Sequence, residues 1–109
     1  MSTYTVNLNK LVDATKTDSI SGRAYGEGFA VKENIIQHLL NNENIVVEID
    51  PKRVKAINDS FIKGFFSSVF DILKSKRNVQ ARFEIHGGEY YKRLFEKNWS
   101  ILDSINAVA

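Results

Sequence analysis

Cysteine is absent from the 109 residues, which removes disulfides, thiolate nucleophiles and thiolate metal sites together and leaves stability to packing. A reducing compartment, the cytoplasm, is the expectation. Proline occurs once and apolar residues make up 43% of the chain, a balance that argues for a folded chain rather than a disordered one. This length suits one domain, residues 1–109, around a single core. No apolar run approaches the roughly 20 residues that span a bilayer. Met1 to Asn9 alternates polar and apolar side chains instead of placing a basic end before an apolar block, so neither a membrane span nor a leader is expected. Basic excess is also slight, with a formal net charge of +2. Nucleic-acid binding needs a concentrated basic face. The densest candidate, Lys74-Ser75-Lys76-Arg77, sits where a helix should end, and cations there suit the helix dipole. No nucleic-acid partner is expected.

Chemistry-bearing clusters are scarce as well. The two histidines, His38 and His86, fall in a helix and at a strand end, without neighbours at metal-ligating spacing. No metal site is expected. The run Gly22-Arg23-Ala24-Tyr25-Gly26-Glu27-Gly28 is rich in glycine but lacks the Gly-Lys-Ser/Thr ending of a phosphate loop and the spacing of a dinucleotide fingerprint. It reads as a backbone feature. Asp50 and Asp59 both end extended segments beside turns and could lie close together, yet without a base, metal or nucleophile beside them they suggest no reaction. The expectation is a protein without catalytic residues and without a cofactor, not an enzyme.

What the chain does have is periodicity. Tyr4, Val6 and Leu8 alternate with Thr3, Thr5 and Asn7, a strand with one wet face. Lys16 to Gly22 is a polar connection in which Ser21 is placed to cap the next helix. That helix is expected from about Arg23 to about Leu40, with Tyr25, Phe29, Ile36 and either Leu39 or Leu40 inward. Gly26 and Gly28 each weaken it by up to about 1 kcal/mol relative to Ala, which implies a frayed start or close approach of another backbone. Ile45 to Asp50 is the most apolar strand and should be central. Pro51 turns the chain, and Val54 to Ile57 adds a short extended piece. Val79, Ala81, Phe83 and Ile85 predict a further strand, Gly87-Gly88 a turn, and Glu89 to Asn106 a final helix on which Trp99 and Ile101 widen the apolar side. The fold class is α/β: a single small mixed sheet of about four strands with helices mainly on one face and long, right-handed crossovers.

The stretch Asn58-Asp59-Ser60 stands at the centre of this pattern. All three residues favour helix N-caps. Behind them Phe61, Phe65 and Val69, with Ile62, Phe66, Phe70 and Leu73, form a broad buried stripe. The opposite face holds Ser60, Lys63, Gly64, Ser67, Ser68 and Asp71. It is small-sided and nearly flat, either an ordinary exposed face or one that a partner approaches closely. A phosphate on Ser60 would be held by the helix end and would change the charge of this face.

Ser21-Gly22-Arg23-Ala24-Tyr25-Gly26-Glu27, Ile45-Val46-Val47-Glu48-Ile49-Asp50 and Val54-Lys55-Ala56-Ile57-Asn58-Asp59-Ser60-Phe61-Ile62 together resemble the STAS-like family, related to the STAS domains of anti-sigma-factor antagonists. The likeness covers most of residues 20–75. It implies a small sheet backed by helices, with a regulatory serine at the start of the second helix. In the antagonists that pivot reads Asp-Ser-Ser-Gly, and its first serine is phosphorylated by a partner kinase that is also the anti-sigma factor. Here one alignment puts Asp59 at the phosphorylated position, where a carboxylate partly mimics the modified state; a shift of one puts Ser60 there. Lys63 and Gly64 replace the acidic residues that often follow in the STAS-like family.

The leading expectation is a non-catalytic regulatory module that binds a partner protein through Asn58, Asp59, Ser60, Lys63, Gly64 and Ser67, with Ser60 as candidate phosphoacceptor. The partner implied by the resemblance is an ATP-binding kinase or an anti-sigma-like regulator. One alternative is an anion- or nucleotide-binding domain that uses the helix N-termini near Ser21, Gly22 and Arg23 and near Asn58 to Ser60. Another is a free-standing inhibitor, for instance from a mobile element, that blocks a larger complex. A homodimer is a further expectation, with Trp99, Ile101 and the wet face of the sheet as the surfaces on offer.

Overall fold

The computed structural model describes residues 2–108. In chain order the elements are β1 (Thr3–Asn7), α1 (Asn9–Thr15), β2 (Ser19–Ile20), α2 (Arg23–Lys32), α3 (Ile35–Leu40), β3 (Asn44–Glu48), β4 (Ala56–Ile57), α4 (Asp59–Leu73), α5 (Lys76–Arg82), β5 (Phe83–His86) and α6 (Glu89–Val108). The fold is α/β. β3 is central, as its apolar sequence predicts, and the main sheet runs β1-β3-β5 with every pair parallel. Tyr4, Ile45 and Phe83 share one cross-strand row and Val6, Val47 and Ile85 another. Val6, Ile45, Val47 and Phe83 are buried, while Thr3, Thr5, Asn7, Glu84 and His86 are exposed. The sheet therefore has one dry and one wet face, the outcome that period-two alternation demands.

The expectation of one mixed sheet of four strands is corrected. β2 and β4 form a separate parallel pair, because Ile20, alone among polar neighbours in 16–22, is only 2% exposed and draws its segment into the core. Lys55 donates its amide to the Asp18 carbonyl at 2.8 Å and Asn58 to the Ile20 carbonyl at 2.7 Å. The expected helix from Arg23 to Leu40 is two helices. Asn34 sits between them in the left-handed region at φ 55°, a conformation that asparagine tolerates better than most residues. After the break Leu39 points inward and Leu40 outward. Residues 9–15 form α1, on which Leu11 is buried and Val12 half-buried.

The expected strand from Val79 starts only at Phe83. Lys74 ends α4 at φ 75°, and the Ser75 hydroxyl accepts the Asn78 amide at 3.2 Å, capping α5. Val79 and Phe83 are both buried, and a spacing of four fits a helix as well as a strand.

Helix α4 fills the centre. Phe61, Ile62, Phe65, Phe66, Val69 and Phe70 are each at most 2% exposed. The Phe66 ring meets Phe83 at 4.9 Å, Trp99 at 5.3 Å and Phe95 at 5.9 Å, all edge-on, an arrangement that contributes about 0.5–1.5 kcal/mol per pair beyond burial. Trp99, expected on the surface, is thus a core residue at 2% exposure. Ile101 is half-buried. Among the described residues no helix is long and apolar enough to cross a membrane.

Candidate functional site

The site starts from the way α4 begins. Asn58 is extended at φ −76° and ψ 145°, and its Oδ1 accepts the Ser60 amide at 2.8 Å. Such a cap is worth about 1 kcal/mol. Asp59 then occupies the first helical position, where the dipole favours its charge.

At the start of α2 the expected cap is corrected. Gly22, not Ser21, is the cap residue; it sits at φ 104° and, among the described residues, makes no side-chain cap hydrogen bond to the first turn. This φ lies where side chains are strained, so glycine takes the position and Ser21 is left exposed. The Gly22 amide finds its acceptor across the fold, donating to the Ser60 hydroxyl oxygen at 3.2 Å. Ser60 in turn donates to Asn58 Oδ1 at 2.7 Å. Two segments that the sequence singles out separately, 21–23 and 58–60, therefore meet at one junction, and the β2–β4 pairing immediately before both helices fixes it there.

Asp59 is held from the other side, by α6. The Asn98 side-chain amide donates to its Oδ1 at 3.0 Å and Lys97 Nζ pairs with its Oδ2 at 3.2 Å. The Asn98 hydrogen bond holds the carboxyl below its ordinary value, aided by Lys97 and Lys63 and opposed by partial burial. Asn98 is fully buried, and the same amide also donates to the Leu94 carbonyl at 2.9 Å. Sequence reasoning misses Lys97 and Asn98. The available signal is Asn98 itself, a polar residue on the helical stripe of Leu94, Phe95 and Leu102.

Gly64 is the main correction to the expected partner face. It is buried, and a Cβ added to it would lie 2.0 Å from the Arg23 carbonyl oxygen. Gly26 answers from α2, where a Cβ would lie 2.2 Å from the Phe61 carbonyl oxygen. The flat ridge of α4 receives the backbone of α2, the most extensive helix contact in the fold. What stays accessible is Asn58, exposed, with Asp59, Ser60, Lys63 and Ser67 half-buried. On α6, Tyr90, Arg93, Leu94 and Lys97 line a shallow depression. Lys97 joins that depression to Asp59, and Tyr90 stands 70% exposed at its edge.

The other candidates lie elsewhere. Arg23 pairs along its own helix with Glu27 at 3.4 Å. With the Gly22 and Ser60 amides already taken, the junction offers an anion little. Asp50 and Asp59 have separate partners: Asp50 Oδ1 accepts the Lys52 amide at 2.9 Å, while Asp59 belongs to α6. His38 stacks on Tyr4 with ring centres 3.7 Å apart and bonds Glu43 at 2.8 Å. His86 lies between Glu48 and Glu84 at 3.0 and 3.1 Å. Among the described residues no group of three or more His, Asp or Glu is placed to hold a metal ion. No protein-family model, curated protein or solved structure matches the chain.

Proposed function

We propose that the protein is a non-catalytic, STAS-like regulatory module of the cytoplasm that binds a partner protein where α4 begins. The binding surface is Asn58, Asp59, Ser60, Lys63 and Ser67, extended by Tyr90, Arg93 and Lys97 of α6. One observation carries the reading: the Gly22 amide donates to Ser60 Oγ, so the two short motifs of the resemblance converge on one accessible edge. Tyrosine and arginine beside it are the residue types that dominate interface energetics. The partner class implied is an ATP-binding kinase or an anti-sigma-like regulator.

Ser60 and Asp59 divide the roles that the resemblance leaves open. The Ser60 hydroxyl is tied to α2, so a phosphate on it would replace the donation to Asn58 and place nearly two negative charges at the α2–α4 junction. Asp59 already supplies a carboxylate on the α6 side. Modification at Ser60 would therefore alter the junction rather than a free surface.

The test is affinity capture from the native cell with the wild-type chain and with Lys63→Glu and Tyr90→Ala, each first checked for an unchanged melting temperature. Mass spectrometry identifies the bound protein and looks for phosphate on Ser60. Each variant should lower recovery of that partner by about tenfold or more, the range of an interface hot spot. Equal recovery by wild type and both variants would remove this surface from the function.

A further inference from the structure

We propose that a second copy of this chain docks on the free edge of β5, antiparallel to it, about a two-fold axis through Ile85. β5 ends the strand order β1-β3-β5 and, among the described residues, pairs only with β3. The Ile49 amide donates to the His86 carbonyl at 2.7 Å and Glu48 is the register partner of His86. In a parallel ladder this makes His86, and Glu84 two residues earlier, the residues whose backbone groups face β3. The N–H and C=O of Ile85 point outward, and no strand among the described residues covers them. Such an edge is a template for another strand.

Side chains then select both the occupant and the register. Directly opposed residues of an antiparallel pair lie on the same face of a sheet, so a two-fold through any residue keeps wet against wet and dry against dry, and two such self-pairings oppose three of the four residues of β5. One is centred on Glu84 and sets Glu84 against its own copy, a like-charge pair that destabilises. The other is centred on Ile85. It sets Ile85 against Ile85 on the dry side, lets the outward Ile85 groups exchange both hydrogen bonds, and sets each Glu84 against His86 of the second copy. Glu84 and His86 are exposed on the wet face and already attract within one chain at 3.1 Å. The two-fold brings both pairs into one cluster in which carboxylate and imidazole alternate, with alternating sign when His86 is protonated. β1, the other open edge, carries no charged side chain and has nothing to fix such a register. Room exists on the β5 side, where a cleft of about 320 Å³ runs beside the strand between Gln80, Lys92, Glu96 and Trp99. The Trp99 indole N–H is itself buried and has no hydrogen-bond partner among the described residues.

Charge exchange tests the register without touching the core. Mass in solution is read by light scattering over a concentration series for the full chain, for Glu84→Lys and for His86→Glu, with circular dichroism to check folding. The wild type should move toward twice 12.4 kDa as concentration rises. Glu84→Lys sets Lys against His and His86→Glu sets Glu against Glu, so each alone should associate at least tenfold more weakly. Mixed in equal amounts they should recover the dimer, because every opposed pair is then of opposite sign. A wild type that stays monomeric overturns the proposal. So do folded single variants that dimerise as well as wild type, an outcome that moves self-association to β1 or to the α4–α6 surface.

Discussion

The two flanks of α4 are built by different means. Toward α2 backbone meets backbone at two points, where Gly64 admits Arg23 and Gly26 admits Phe61 with no room for a methyl group at either place, and the Tyr25 and Phe29 rings pack on Phe61 and Phe65 beside them. Toward α6 and β5 the contact is made by side chains, the Phe66, Phe83, Phe95 and Trp99 rings below and the Asp59–Asn98 hydrogen bond at the helix start. A backbone contact has no rotamers with which to adapt, whereas rings and amides can shift. The first flank fixes how the two helix starts meet, and the second carries the polar groups that reach the surface.

Adding one methyl group should break the first flank. Gly64→Ala is expected to lose about 3 kcal/mol, the upper end of the overpacking range, despite alanine's better helix propensity. In a domain of this size that lowers the melting temperature by roughly 13 °C. Gly28→Ala is the matched control on α2, since nothing lies within 4 Å of its added Cβ. It should gain about 0.5–1 kcal/mol. If thermal melts put both variants on the same side of wild type, the helix contact has slack and the contrast between the flanks fails.

The helix start that both flanks share should be less sensitive. Asn58→Ala removes the acceptor of the Ser60 amide and hydroxyl, and a lost cap costs about 1 kcal/mol. The Gly22 bond to Ser60 remains, so urea denaturation should show a lower midpoint with an unchanged slope. A changed slope would mean that the α2–α4 junction had opened.

Much of this architecture is legible in the sequence where a segment buries one face by itself. β1, β3, α4 and α6 are such segments, and their alternation or helical stripe predicts them. α1 and the break at Asn34 have weaker signals: Leu8 precedes α1 without a side-chain cap, and a left-handed asparagine leaves the helical pattern on either side intact. The site is half legible. Asn58 to Ser60 and Ser21 to Arg23 are recognisable as helix starts, but their meeting is a hydrogen bond across 38 positions, and no local pattern encodes it. Gly64 misleads for a related reason. A ridge of small residues has the same composition whether it faces a partner or the protein's own helix, and only the position of α2 decides between them.

The smallest expected effect separates the flanks by charge. No ion pair links α2 to α4 among the described residues, whereas Asp59 on the α6 flank titrates. Its folded carboxyl lies below the ordinary value of 3.8, first through Asn98 and then through Lys97 and Lys63. A lowered folded value means that the charged form is favoured by folding. The contribution is therefore present above 3.8 and is lost as pH falls through the lower, folded value. Because the side chain is 39% exposed, solvent screening keeps the effect small. Melts of wild type and Asp59→Asn should differ at about pH 6 and converge toward about pH 2, while the deficit of Gly64→Ala relative to wild type stays the same across that range. A wild-type advantage over Asp59→Asn that persists unchanged in acid would assign the α6 flank to hydrogen bonding alone and leave its charge without a structural part.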